Sequence, residues 1–394
     1  MTAHRSIPHV AVIGAGILGV STAAHLARSG AAVTLITSGV VADGASGRSI
    51  AWLNSSGERS EAYHYLRLLA IDRYRTWSAV RPHSARYLRF DGALKWAHSD
   101  ESFRDTFAYE RSRGYDAVWL DRAGVSRLTA DVNADAIAAE GAIYNPGEGW
   151  VNLPDLIAAL LEEAVADGLQ LLERAGRSRV AVEDDAVTGV ILGDGRHLAA
   201  DRVVLATGGD VPRHLAELGV TVPDATPAAA VVITKPVDAP VRTVLNTPRV
   251  ALRPAPGGRL VLDAGWAARS IVVDEDGSLR VPDDTVNGLL AEASRVLAGR
   301  PALVADRVAT GLKPIPGDGE PVVGRVPSIS GLFTLFTHSG ATLGLVLGEL
   351  VAEEILTQTP SPVLDAFRVD RFAGAARPPT AGTGAWTPAT STSA

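Results

Sequence analysis

The chain has 394 residues, 46% hydrophobic and 21% charged, a globular balance with enough length for two cores. Its formal charge of −7 gives no electrostatic footprint for nucleic acid or an anionic membrane. Cysteine is absent, which excludes disulfides, thiolate metal sites, cysteine nucleophiles and any cofactor tethered through cysteine.

Residues 9–13 read as a short buried strand, 17–29 as a helix and 31–36 as a second strand, a βαβ opening. The first apolar run, 10–20, holds Gly14, Gly16 and Gly19; it is too short and glycine-rich to span a bilayer, and no signal-peptide pattern follows. Cytoplasmic residence is the expectation. Residues 58–80 read as helical, and 86–144 mix short strands with a polar helix at 101–113. Asn152 has the character of an N-cap, with Pro154 and Asp155 in the first turn of an amphipathic helix. Strand-like runs follow at 169–173, 179–183, 186–192 and 202–206, with a turn at Gly193-Asp194-Gly195. Residues 223–307 form a second mixed segment, with strands at 228–234 and 259–263 and a helix at 284–298. A strand at 331–336 and a long apolar helix at 341–355 close the ordered part. From about 375 the Pro, Thr, Ser, Gly and Ala content predicts disorder.

Gly14-Ala15-Gly16-Ile17-Leu18-Gly19 lies between the first strand and first helix. One glycine makes the turn, the next lets backbone approach a pyrophosphate, and the third lets helix pack on sheet. The helix N-terminus then offers free N–H groups to the phosphates. An acid usually ends the second strand and holds the adenosine ribose, but Thr37 and Ser38 stand there. Its loss would also admit a 2′-phosphate, though the nearest arginine is Arg48.

Four further segments join the fingerprint: Gly44-Ala45-Ser46-Gly47-Arg48-Ser49, the run 201–209 ending in Thr207-Gly208-Gly209, the run 311–324 with Gly311 and Lys313, and Thr337-His338-Ser339-Gly340-Ala341-Thr342-Leu343-Gly344. In this order, over residues 8–356, they resemble the glycine/sarcosine/D-amino-acid oxidase family of FAD enzymes. The resemblance implies an α/β fold: a discontinuous Rossmann-like FAD domain (1–80, 145–215, 308–375) and an antiparallel-sheet substrate domain with helices (81–144, 216–307), before a tail at 376–394. It places FAD against the fingerprint, Thr37, Ser38, the loop 46–49, Val180, Thr207, Gly208, Gly311 and residues 339–343. Ser49 stands where histidine-linked relatives carry the attachment, so FAD is expected to bind noncovalently.

The last helix should aim its N–H groups at the flavin pyrimidine ring, where reduced flavin is negative. Gly340, Gly344 and Gly348 recur every four residues and leave a smooth face for close packing. His338 is read as structural or catalytic. Lysine occurs only at 95, 235 and 313, against 34 arginines. Lys313 replaces an arginine that pairs with substrate carboxylate in many relatives. Two roles stand for it, anion binding or assistance to oxygen near the flavin; the plain alternative is a salt bridge at a domain edge. Trp52 and Asn54, directly after the flavin loop, are candidate substrate contacts, Trp52 with core packing as its alternative. Arg253, in the sheet of the second domain, is a third, with a structural role as its alternative. Only one face of Tyr63, His64 and Tyr65 can turn inward.

The implied chemistry is oxidation of a C–N bond in an amine or amino acid by hydride transfer to flavin N5, with molecular oxygen giving peroxide. The alternatives are a dehydrogenase using a quinone or protein acceptor or acting on a 2-hydroxy acid, and a non-catalytic nucleotide-binding protein. Neither metal-ligand spacing nor a serine nucleophile elbow is present in the sequence.

Overall fold

The computed structural model describes residues 8–238 and 241–373, so the tail expected to be disordered lies outside the described residues. The strand His9–Ile13 begins after Pro8 and ends at Gly14. It is the centre of a six-stranded sheet in the order Val322–Arg325, Leu332–Phe336, Arg202–Leu205, His9–Ile13, Ala32–Ile36, Gln170–Leu172. All neighbours are parallel except the edge strand Val322–Arg325. Successive side chains of a strand leave on opposite faces. Val10, Val12, Val33, Leu35 and Val204 therefore join one core, and Ala11, Ile13, Ile36, Val203 and Leu205 another. The first core is roofed by the helices Ile17–Arg28, Leu153–Ala166 and Gly340–Thr357. The second is covered by an antiparallel meander, Arg179–Glu183, Ala186–Ile191 and His197–Ala199. Both faces are dry, which is why these strands are apolar throughout.

A second sheet has eight strands, in the order Ala305–Leu312, Ala228–Thr234, Arg259–Asp263, Ala251–Ala255, Val244–Asn246, Ala93–Lys95, Ala142–Asn145, Val118–Leu120. The expectation of an antiparallel sheet needs one amendment: Val244–Asn246 pairs parallel to Ala93–Lys95. Two separate stretches of chain each build an antiparallel group, and that pair is the seam between them. The strand Ala305–Leu312 pairs along its length with Ala228–Thr234, so a division at residue 308 cuts through it. The helix Asp283–Val296 buries Leu289, Leu290 and Ala293 against this sheet's core. A third, small sheet joins Trp52–Leu53, Gly149–Val151 and Leu88–Arg89 beside the loop that follows the fingerprint.

Candidate active site

The fingerprint glycines occupy positions where a side chain has no room. Gly14 takes φ +113°, and a Cβ there would overlap the Ala206 carbonyl. One at Gly19 would overlap the Gly14 carbonyl, and one at Gly16 would meet Ser46 Oγ at 3.1 Å. The loop 44–49 is folded onto the helix start: Ile17 N donates to Ser46 Oγ at 3.0 Å. Gly47 packs on the Ala42 carbonyl, and Ala42 N donates to Ala15 O at 3.0 Å. Arg48 pairs with Asp43 at 2.8 Å and lies against Gly311, which brings the segment 311–324 to the cradle. Ser49 Oγ accepts from Ala51 N at 3.0 Å. Among the described residues Thr207 Oγ1, buried beside Gly208 at φ +62°, has no hydrogen-bond partner. Thr37 continues the strand pairing through its N–H to Leu172 O at 2.9 Å, and Ser38 is exposed.

The last helix meets the fingerprint helix through its glycines. A Cβ at Gly344 would stand 2.5 Å from Ile17 Cγ1, and one at Gly348 would overlap Ser21. Gly340 faces Ile17 and Leu18, so the two helices run parallel with their N-termini side by side. Two positive helix ends on one glycine-lined hollow suit an anionic, phosphate-bearing ligand. With the unpartnered Thr207 hydroxyl, this is a fit to the dinucleotide. Tyr74 donates to Ala341 O at 2.6 Å, Thr342 Oγ1 donates to Trp52 O at 3.2 Å, and Leu343 N donates to Ser339 O at 2.8 Å.

Beside this helix start lies a cluster whose two arginines, Arg59 and Arg67, sequence reasoning missed. Tyr63 OH donates to Ser339 Oγ at 2.5 Å, and the Arg67 guanidinium donates to the same oxygen. Arg59 and Arg67 both sit over the Tyr63 ring, at 5.7 and 5.4 Å. Among the described residues neither arginine has a carboxylate within ion-pair distance. Arg67 is buried, and Arg59 keeps a buried Nε with no partner. Desolvation, then repulsion from Arg67, pulls the Arg59 value down to about 10. His338 is pulled below its ordinary value by the surrounding protein first, then by Lys313, Arg67 and Arg59, so it stands neutral at pH 7. Its ring is nevertheless exposed, so the three cations are the influence that persists when water reaches it. Lys313 is half-exposed and makes only a loose pair with Asp263 at 3.7 Å. Tyr63 and Arg67 share a helix face four residues apart, the one signal that marked them within an arginine-rich chain.

Two expected substrate contacts have their polar atoms taken up within the protein. Asn54 spends its polar atoms on holding the cluster: its carbonyl accepts from Arg67 Nε at 2.7 Å, its Oδ1 from Arg67 Nη2 at 2.9 Å, and its Nδ2 donates to Trp52 O at 3.1 Å. It positions Arg67. Arg253 is 2% exposed and donates to Ile50 O at 2.5 Å and Pro254 O at 2.7 Å, a brace for the flavin loop, not a substrate contact. Val180 pairs with Val190 in the meander. Residues 172–175 lie against Thr37. Trp52 is half-buried, and its indole N–H is taken by Glu148 Oε2 at 2.8 Å. Asn152 precedes its helix as expected but bonds the Asp155 carboxylate at 2.7 Å instead of a backbone N–H.

Glu148 is fully buried and accepts from Trp52 and, at 2.5 Å, from Tyr115. Burial raises its carboxyl to about 7; the Tyr115 bond and Lys95 oppose that rise. Because the folded value lies above the unfolded one, the group is neutral for stability below about pH 4.5. Its cost grows as pH rises toward 7 and stays constant above. That cost is on the order of 3 kcal/mol. Urea unfolding at pH 4.5 and pH 8 should show wild-type stability falling more than that of Glu148→Gln; equal slopes would refute the assignment.

A family model described as FAD dependent oxidoreductase, DAO, matches residues 9–354. The chain belongs to this family. It is 27% identical over 383 residues to the glycine oxidase of Geobacillus kaustophilus, covering 93% of this chain and 97% of the relative. It is also 27% identical over 435 residues to a D-amino acid dehydrogenase of Methylobacterium radiotolerans, covering 93% and 100%. The crystal structure of the Geobacillus kaustophilus glycine oxidase superposes with a TM-score of 0.78 at 23% identity, covering 92% of this chain and 99% of that one. This DAO-family protein is therefore an FAD-dependent oxidoreductase. Among the described residues no helix is long and apolar enough to cross a membrane.

Proposed function

We propose that this enzyme oxidises the C–N bond of an amino acid, an amine that carries a carboxylate, with molecular oxygen as acceptor. The supporting observation is the group of cations at the last helix: among the described residues Arg67 and Arg59 lack carboxylate partners, and Lys313 holds Asp263 only loosely. Leaving buried guanidinium groups without an anion is costly unless a ligand supplies one. FAD, held noncovalently, would supply the two-electron oxidation of the C–N bond there, with oxygen as the final acceptor and an imine that water hydrolyses as the product. The protein's part is to orient and to set charge. Arg59 and Lys313 would receive the substrate carboxylate, Arg67 would fix Ser339 and the helix start, and neutral His338 would leave the amine free of a competing proton donor. The cradle 14–19, the loop 46–49, Thr207, Gly208 and residues 339–343 would hold the cofactor. The chain would divide into an FAD domain and a substrate domain near the limits expected from sequence, with Ala305–Leu312 assigned to the substrate side.

The test is anaerobic bleaching of the flavin bands by amino acids and by the matching amines without carboxylate. Amino acids should bleach and the amines should not, and air should restore colour with release of peroxide. Bleaching by 2-hydroxy acids alone, or equally by both amine sets, would overturn the reading. Colour that stays bleached in air would move the acceptor to a quinone or carrier protein. Lys313→Met should raise KM for the amino acid about tenfold at unchanged kcat. Slower reoxidation with unchanged bleaching would assign Lys313 to oxygen instead.

A further inference from the structure

The acid absent from the end of the second strand has a counterpart on the neighbouring strand. Leu172 pairs with Ile36, so Glu173 stands beside Thr37, at the place where the adenosine ribose of a dinucleotide fold is held. The chain then wraps that strand end: Arg174 N donates to Gly39 O at 2.8 Å and Ala175 N to Thr37 O at 3.0 Å. Glu173 Oε1 accepts from Val41 N at 2.9 Å. The next residue, Ala42, donates to Ala15 O inside the fingerprint. The carboxylate is therefore fixed to the loop that leaves the pyrophosphate cradle. Arg174 adopts φ +51°, an uncommon backbone for a non-glycine residue, and the turn it makes carries Glu173 at its start.

We infer that Glu173 binds the vicinal hydroxyls of the adenosine ribose of FAD, in place of the acid that the second strand lacks. Neighbouring strands lie about 4.8 Å apart, and the length of a glutamate side chain spans that displacement. Glu173 makes no ion pair among the described residues and is exposed, so Oε2 is available to accept from a hydroxyl. The other carboxylate on this loop, Asp43, is already held by Arg48 at 2.8 Å. The assignment is independent of which substrate the enzyme oxidises.

Titration of the apoprotein with FAD, followed by quenching of flavin fluorescence, tests it. The second ligand is an FAD analogue lacking both hydroxyls on the adenosine ribose. Glu173→Gln should raise the Kd for FAD roughly ten- to hundredfold, because a charge-assisted bond is lost. Gln Oε1 still accepts from Val41 N, so the loop is retained, and the apoprotein melting temperature should stay within a degree or two. For the analogue, wild type and variant should bind alike, so the preference for FAD collapses in the variant. Weaker binding of both ligands by the same factor would make Glu173 merely structural and overturn the assignment. An unchanged Kd for FAD would do the same, as would a loss of discrimination in Asp43→Asn and not in Glu173→Gln.

Discussion

Gly14→Ala should give a colourless protein. At φ +113° the new methyl would overlap the Ala206 carbonyl, backbone that follows directly on the adjacent parallel strand and is bonded to Ile13 O through its N–H. An L-residue in that conformation costs about 1–3 kcal/mol, and overpacking adds a similar amount. The two strand ends must part to relieve it. They are the floor of the hollow between Ala15 and Thr207, so FAD affinity should fall by at least about a hundredfold, while the apoprotein loses about 3 kcal/mol. Gly30→Ala is the control: it also has positive φ, +84°, but nothing lies within 4 Å of its Cβ. That variant should stay yellow and lose about 1 kcal/mol. A yellow Gly14→Ala protein of normal stability would mean that the cradle is not where the dinucleotide binds.

The contrast between those glycines shows what the sequence made legible. The fingerprint was readable because each of its glycines answers a separate local demand, and a strand and a helix flank it in sequence. The apolar run 9–13 has a proline before it and a glycine after it, so its limits were readable too. The glycines at 340, 344 and 348 announced a close helix contact, and Ile17 and Ser21 fill it. The two-residue strands Trp52–Leu53 and Leu88–Arg89 have no period to read; only Gly149–Val151, far along the chain, makes them strands. Arg59 and Arg67 were hidden among 34 arginines, since nothing local says that a given guanidinium lacks a carboxylate. Asn54 was placed by its position after the flavin loop and Arg253 by its place in a strand of the second domain, but the partners that claim their polar atoms come from other segments. Local demands show in sequence, and pairings across long loops do not.

The scarcity of lysine pointed at Lys95 without giving its task. Lys95 is paired with Glu110, and both side chains are almost wholly buried. Glu110 also accepts from Gly57 N at 2.8 Å and Asn145 Nδ2 at 3.1 Å. One carboxylate therefore joins the helix Arg104–Ser112, the strands Ala93–Lys95 and Ala142–Asn145, and the segment that carries Asn54 and Arg59. Glu110→Ala removes the only anion Lys95 contacts among the described residues and strands a buried ammonium, a loss of about 3–5 kcal/mol. Replacing both partners with apolar residues, Lys95→Met with Glu110→Leu, should recover most of it, because neither charge is then buried alone. The double variant still lacks the acceptor for Gly57 N. If that bond sets the position of Arg59, the recovered protein should bind FAD normally yet show a raised KM for its substrate. Equal destabilisation in the single and double variants would refute the buried-charge account, and a fully normal KM would detach this network from the site.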